Sequence, residues 1–389
     1  MIPVTFQSVT AYLLDDLPQW SSMELEAALP ADREIGLTRR ETRRPLADTI
    51  RLSIRYTAVV YGTNAAMNFR ESVAALTTEK VLCPLWCARF EAGASPAVTT
   101  AFYVQMGDGA APTISAAAGL PFARPAFPLL VGRLETKPEL GFIDDVTGMA
   151  QIDFVENDAL AVTFPAYAPP AFNFTFAGMQ RPLFPWRPNW AGAPRSGNVD
   201  PVDRQQVGQG RVTADSHYTQ LAQGEHSQTF TLQGMEPWQL LRLLIDWGGT
   251  SKNFWFPVAL SPLVLSVNVA PSDTTITATG GPNTYSKVLL DDLTNRVPLA
   301  LNAPTSDVYP VTPSPVGTAF DKAHTRAEAL MLCRLASASI VLHWRNGEVA
   351  ETTIKTAEVP WENNTHAGET LGTTMGMLPT CAYVYMFMI

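Results

Sequence analysis

A chain of 389 residues with 46% hydrophobic and only 16% charged side chains has room for two or three domains and large cores, and leaves much of its surface weakly charged. Its net charge of −9 argues against a duplex- or membrane-binding protein; the one basic cluster, Arg39-Arg40-Glu41-Thr42-Arg43-Arg44, reads as a solvated turn. The 31 prolines and 25 glycines, with many Thr, Val and aromatic residues, favour β structure with many turns.

Val4 to Leu13 reads as one or two strands. Ser22 to Ala28 reads as a short helix, because Ser21 and Glu24 stand at capping-box spacing. In Thr49 to Tyr56, Ile50, Leu52, Ile54 and Tyr56 fall on one face, the pattern of a half-buried strand. A helix is expected over Ala65 to Leu76, with Met67, Val73 and Leu76 inward, and then an apolar strand over Val81 to Cys87. Cys83 and Cys87 lie in that apolar run and read as buried thiols; with Cys333 and Cys381 they are too few and too scattered for a disulfide scaffold. Strands are expected at Thr99–Gln105, Leu129–Glu135, Leu140–Ile143 and Ala150–Val155, with Gly107 to Ala126 a long loop or insertion.

Arg181-Pro-Leu-Phe-Pro-Trp-Arg-Pro-Asn-Trp190 is the most unusual stretch. Prolines at that spacing forbid a helix and interrupt a sheet ladder, so the chain is extended and stiff. It reads as a strap, 181–212 with the polar loop or hairpin that follows, joining an N-terminal β-sandwich module over 1–180 to a second over 213–389. Residues 227–232 read as a strand. Glu236 to Trp247 is the strongest helix, with Pro237 in its first turn, Gly248-Gly249 after its end, and Leu240, Leu241, Leu244 and Trp247 on one face. Asn253 to Val258 is again an apolar strand, followed by strands near Leu263–Val269, Thr274–Ala278, Lys287–Leu290 and Val308–Val311.

Phe142-Ile-Asp-Asp-Val-Thr147 matches Leu289-Leu-Asp-Asp-Leu-Thr294, and the strand–helix–strand order upstream ends at Pro84 in one case and Pro257 in the other. This predicts an internal duplication, each unit a β-sandwich with one flanking helix. Near the end, a helix is expected over Ala327 to Leu335 and a hairpin over Ser339–Trp344 and Val349–Ile354 around Asn346-Gly347. The apolar tail Cys381 to Ile389 is expected to be buried, as a last strand or against a neighbouring subunit.

The residues present no catalytic constellation. A phosphate-binding loop and a nucleophile elbow are both missing from the sequence, and the five histidines stand at no ligand spacing; His217 and His226 read as solvent-facing loop residues. Asp144-Asp145 and Asp291-Asp292 read as turn residues rather than paired acids. Phe254-Trp255-Phe256 and Trp186/Trp190 read as packing groups rather than a sugar platform, because neighbouring strand aromatics point to opposite faces. The longest apolar run, Phe254 to Ala270, is too short and too interrupted to span a bilayer, and the N-terminus has no secretory signal pattern. Catalytic, cofactor and metal residues are therefore expected to be none, and the protein is expected to stay soluble in the cytoplasm until it assembles.

The Pro/Trp stretch, then a strand, a helix ending near Trp247-Gly248-Gly249, and Phe254-Trp-Phe-Pro257, resembles a family of tailed-phage virion proteins, the distal tail or tail-tip proteins of long, flexible-tailed phages. The resemblance covers about residues 181–300. It implies a structural virion protein built of tail-tube-like β-sandwiches, closing into a homo-oligomeric ring that joins the tail tube to the hub or baseplate. Tail tube, tape measure and hub proteins would be its partners, and DNA would pass through without specific binding. A hexamer continues the tube's symmetry; a trimer of a duplicated chain also presents six modules. Trp186, Arg187, Pro188, Trp190, Trp247 and Trp255 are the expected structural or interface residues. A carbohydrate-binding β-sandwich or glycan hydrolase and a capsid or decoration protein stand as alternatives.

Overall fold

The structure, a computed structural model, describes residues 1–359 apart from 8, 29–30, 36–40, 46–49, 76–79, 108–109, 145, 158–161, 168–174, 177–178, 190–193, 200–202, 208–210, 216–222, 248–249, 251, 280–286, 303, 313 and 315. It is mainly β, with two α-helices among the described residues.

The first half contains β1 (Ile2–Phe6), β2 (Val9–Leu13), β3 (Met23–Ala28), the hairpin β4 (Ala31–Ile35) and β5 (Glu41–Pro45), and β6 (Arg51–Tyr61). It continues with α1 (Thr63–Ala75), β7 (Lys80–Pro84), β8 (Phe102–Gly107), β9 (Ala110–Ala116), β10 (Ala126–Leu134), β11 (Leu140–Phe142) and β12 (Thr147–Glu156). In β6, Leu52, Ile54, Tyr56, Ala58 and Val60 are buried while Arg51, Arg55 and Tyr61 are exposed, as period-2 alternation requires. β6 lies between β3 and β12, antiparallel to both. A second leaf has β10 antiparallel to β7, β7 parallel to β2, and β2 antiparallel to β1. The short β10–β12 contact, Gly132 to Leu134, joins the leaves at a corner. Ile54, Ile152 and Phe154 of one leaf share a core with Leu82 and Leu130 of the other.

Beyond the short hairpin β13 (Thr175–Phe176) and β14 (Met179–Gln180), the second half contains β15 (Arg195–Val199), the separate hairpin β16 (Asp203–Val207) and β17 (Arg211–Asp215), and β18 (Gln223–Gln233). It continues with α2 (Glu236–Asp246), β19 (Phe254–Leu265), β20 (Thr275–Thr279), β21 (Lys287–Asp291), β22 (Arg296–Leu301) and β23 (Val308–Thr312). β24 (Arg326–Leu335), β25 (Ser339–Trp344) and β26 (Val349–Glu358) complete it. Strands β20 to β23 and the outer end of β19 surround a small core of their own, which includes Leu265, Ile276, Leu299 and Phe320.

The same succession of pairings occurs in both halves. β6–β12 and β18–β26 are both antiparallel over nine residue pairs, and each first strand leads into a helix. Each turns into that helix at a glycine with positive φ, Gly62 at 90° and Gly234 at 56°. The Gly62 N–H donates to the Val146 carbonyl (2.7 Å) and the Gly234 N–H to the Glu348 carbonyl (2.9 Å). β7–β10 and β19–β24 correspond, with Pro84 opposite Leu129 and Pro257 opposite Leu330. β10–β12 corresponds to β24–β26, with Gly132 opposite Glu156 and Cys333 opposite Glu358. β3–β6 corresponds to β15–β18, and β11–β12 to β25–β26.

The halves join edge to edge. β3 pairs with β6 on one side and with β25 on the other, Met23 opposite Trp344 and Ala28 opposite Ser339. One sheet therefore runs β11-β12-β6-β3-β25-β26-β18-β15.

Several expected elements are corrected. Where a helix is expected over Ser22–Ala28, Met23–Ala28 is strand β3: Met23, Leu25 and Ala27 are buried in alternation with half-exposed Glu24, Glu26 and Ala28. Ala327–Leu335 is also a strand, β24, buried along nearly its whole length by neighbouring strands and both faces of the sheet. Strong helix formers are held in β form here because long-range pairing outweighs local propensity. Gly107–Ala126 is not a plain loop, since β9 pairs with β8. Met67 of α1 is 56% exposed; Ala66 and Phe69 are the buried residues, and Leu76 lies outside the described residues. The Asp-bearing turn at Phe142–Thr147 corresponds in position to Trp344–Val349, not to Leu289–Thr294, which joins β21 to β22. Residues 381–389 and His217 lie outside the described residues.

Candidate functional site

The Pro/Trp stretch is built into the second half's core. Leu183 bridges Trp255 in parallel, and the Phe184 N–H donates to the Trp255 carbonyl at 2.8 Å. β2 meets β7 in the same way: Leu13 pairs in parallel with Leu82, and the Leu14 N–H donates to the Leu82 carbonyl at 2.9 Å. Further on, the Gln19 N–H donates to the Thr57 carbonyl (2.8 Å) and the Asn189 N–H to the Thr229 carbonyl (2.6 Å). Leu13-Leu-Asp-Asp-Leu-Pro-Gln19 and Leu183-Phe-Pro-Trp-Arg-Pro-Asn189 thus occupy matching places, and in the sequence the two runs, each followed by Trp, share Leu, Pro and Trp at identical spacing. That spacing is present in the sequence, where the second run carries an additional Pro185 and Trp186 that the first lacks.

Trp186 is buried, stacked on Tyr167 (5.3 Å between centroids) and edge-on to Phe184 (5.3 Å). Pro188 is buried. Trp190 lies outside the described residues. Trp247 is buried and stacked on Phe254 at 4.2 Å. Trp255 points to the opposite side of its strand from Phe254 and Phe256, and packs with Leu183, Leu289, Leu330 and Leu332. Lys287 Nζ lies 4.7 Å from the Trp255 ring centroid, and burial lowers the Lys287 pKa. With Trp186, Trp247 and Trp255 all buried, these three aromatics present no sugar-stacking surface.

Arg187 ties the stretch to the β21–β22 hairpin. Its Nε lies 3.0 and 2.9 Å from the two Asp291 carboxylate oxygens, and Arg296 Nε is 3.0 Å from Asp291 Oδ2. Arg296 also donates to the Pro185 carbonyl. Glu328, opposite Leu289 in the ladder, is buried beside this group. Burial raises its pKa to about 7, against the opposing pull of Arg296. Asp291 is therefore an ion-pair partner as well as a turn residue. Asp292 shapes the turn, accepting from the Thr294 and Asn295 N–H groups, as Asp144 accepts from those of Val146 and Thr147.

His226 is corrected: it is buried on β18, with Nε2 2.7 Å from Glu358 Oε1. Gly224 allows this approach, since a Cβ there would stand 2.3 Å from Glu358 Cδ. Cys83, Cys87 and Cys333 are buried free thiols, and burial raises the pKa of each, away from thiolate reactivity. Among the described residues, no group of three His, Cys, Asp or Glu side chains could hold a metal ion. A shallow depression of about 350 Å³ beside Trp247 is lined by Arg181, Pro182, Leu243, Lys252 and Asn253, with Asp246 its one carboxylate. Glycoside hydrolysis ordinarily needs a facing pair. No helix among the described residues is long and apolar enough to cross a membrane.

What the geometry does offer is a junction and two open edges. At the junction, Trp344 is 1% exposed and packs on Trp238 of α2 at 5.3 Å. Trp20 lies over the hairpin tip, its ring within 3.8 Å of a Cβ placed at Gly347. His343 Nδ1 stands 3.3 Å from Glu24 Oε1 across the strands. At the ends of the sheet, β11 pairs with β12 alone and β15 with β18 alone among the described residues. Phe142, which corresponds to Trp344, is 61% exposed, beside Ile143 at 63% and Val146 at 55%. Compared with known proteins, the chain matches no protein-family model and no curated protein.

Proposed function

We propose that this chain is a structural protein of a phage tail tip, a distal tail protein whose copies close into a ring between the tail tube and the hub. In this reading its halves are two copies of one tail-tube-like β-sandwich module with a flanking helix. The observation that carries it is the recurrence of one pairing scheme over 9–156 and 183–358, with the two sets laid edge to edge through β3 and β25. A chain that already joins two such units side by side uses one edge-to-edge contact internally, and a heterologous contact that repeats with rotation closes into a ring. Closure also removes exposed sheet edges.

The protein acts by geometry and not by turnover: it docks the tube and tape measure on one side and the hub on the other, and leaves a channel for DNA. The net charge of −9 favours passage of phosphate without adhesion. It is assembled in the host cytoplasm, resides in the virion, and needs neither cofactor nor membrane insertion. Two units per chain make a trimer with six modules a direct rival to the hexamer of chains. Native mass measurement of the purified protein, alone and with tube and hub proteins, tests the reading: three or six copies are expected, with rings visible by electron microscopy. A lasting monomer under every condition, or an absence of the chain from purified virions, overturns it. Binding to a glycan array by the monomer would support the carbohydrate-binding alternative instead.

A further inference from the structure

We propose that β15 of one copy pairs antiparallel with β11 of the next, in the register that β3 and β25 use within the chain. The inference rests on the ring reading above for its occupant, a second copy of this chain, and it names the strands and residues that make the contact.

The argument starts from the junction inside the chain. There, a strand that pairs antiparallel with β6 on one edge offers its other edge to a strand that pairs with β26. β3 stands to β6 as β15 stands to β18: Glu24 is opposite Arg55, and Arg195 is opposite Ser227, at corresponding points of the two ladders. β25 stands to β26 as β11 stands to β12: Trp344 is opposite Ala350, and Phe142 is opposite Gly148. Among the described residues the chain thus makes one such junction and carries, at the far ends of the same sheet, one unused copy of each half of it. The unused halves are on opposite ends, so they cannot satisfy each other within a flat extension of the sheet; the second copy supplies the partner.

The apolar exposure agrees with this. Beside the junction Trp344 is buried against Trp238 of α2, whereas its counterpart Phe142 is 61% exposed and is followed by exposed Ile143, so the free edge carries apolar side chains in the open. A row of unpaired backbone groups beside exposed apolar side chains is a template for strand addition. Transferring the register puts Gly141 opposite Arg195 of the next copy, as His343 is opposite Glu24. Leu140 then stands opposite Ser196, and Phe142 opposite Pro194. The contact repeats head to tail, so each copy uses both edges.

Cysteine pairing in the full-length protein tests this, in a background with Cys381→Ser. Glu24→Cys with His343→Cys is the internal control and is expected to form a disulfide within one chain. Gly141→Cys and Arg195→Cys, placed on one chain, are expected to give a ladder of covalent oligomers in steps of one chain mass on oxidation, and a mixture of the two single variants a covalent dimer linking one of each. Phe142→Asp is expected to weaken assembly by about 30-fold or more, the effect of losing one hot-spot residue, with the monomer's thermal unfolding unchanged. Rings that form while the control cross-links and the 141/195 pair does not would overturn this junction and leave the ring reading standing. No rings at any concentration, with the control intact, would overturn the ring reading itself. A 141/195 disulfide confined to single chains would overturn the intermolecular contact.

Discussion

The two helices hold corresponding places and are buried to different depths. α2 buries Pro237, Trp238, Leu240, Leu241, Leu243 and Leu244, with Phe164 stacked on Trp238 and Trp344 beneath it. Among the described side chains of α1, Ala66 and Phe69 are buried, Val73 is half-buried against the core, and Met67 lies open. The strand edges differ in the same sense, with Trp344 covered and Phe142 exposed. The same succession of pairings thus carries a covered helix and edge aromatic in the second half and more open ones in the first. The difference lies in what each half's neighbours cover and not in the pairing scheme. Burial of an apolar residue measures its contribution to folding, and exposure leaves it available for association.

The sharpest way to break the comparison is at its two corresponding aromatics. Trp344→Ala is expected to destabilise the monomer by about 3–5 kcal/mol, the range for truncating a buried aromatic. Phe142→Ala is expected to change the same quantity by about 1 kcal/mol or less. Urea unfolding of both variants at a concentration that keeps the chain monomeric measures the contrast; equal losses would mean that Phe142 is part of the fold.

A second test concerns Glu328, beside the Arg187–Asp291–Arg296 group of the second half. Its folded pKa of about 7 lies above the ordinary value of 4.5, so between those values the folded chain holds a proton that the unfolded chain releases. Its contribution to stability is present below pH 4.5 and is lost as the pH rises through 7, with a total on the order of 3 kcal/mol. Glu328→Gln is expected to flatten this fall, read as the urea midpoint at pH 5 against pH 8. An unchanged pH dependence in the variant would assign the titration to another group.

The smallest effect is expected at α1. Met67→Lys should change stability by no more than about 0.5 kcal/mol, because its side chain already lies mostly in water. The same change at buried Leu240 should prevent normal folding, because it places a charge in the core. Thermal unfolding of the two variants compares them. A large loss at Met67 would show that α1 has a cover that its exposure does not reveal.

Much of the fold was legible along the chain. The alternation in Arg51–Tyr61, the first-turn Pro237 before an apolar face, and Asn346-Gly347 between alternating strands each identified the element that forms. These signals are local, and their physical causes act within a few residues. Ser22–Ala28 and Ala327–Leu335 misled because Glu, Leu and Ala favour helix locally, while their actual state is set by partners far away in the chain. Proline spacing makes the Pro/Trp stretch stiff and extended, but composition does not specify its place beside Trp255.

By itself the sequence determined a β-rich chain with low surface charge, the two helices, and recurrence of a strand–helix–strand order ending in a proline. Tertiary structure alone decided which segments correspond, moving the match of Phe142–Thr147 from Leu289–Thr294 to Trp344–Val349. It also decided that β3 would lie between the halves, and that Trp344 would be covered where Phe142 is not. The reason is that strand pairing is a long-range choice: a β residue's neighbours across the ladder are chosen by the whole core, and short sequence matches carry the turn chemistry without the place it occupies.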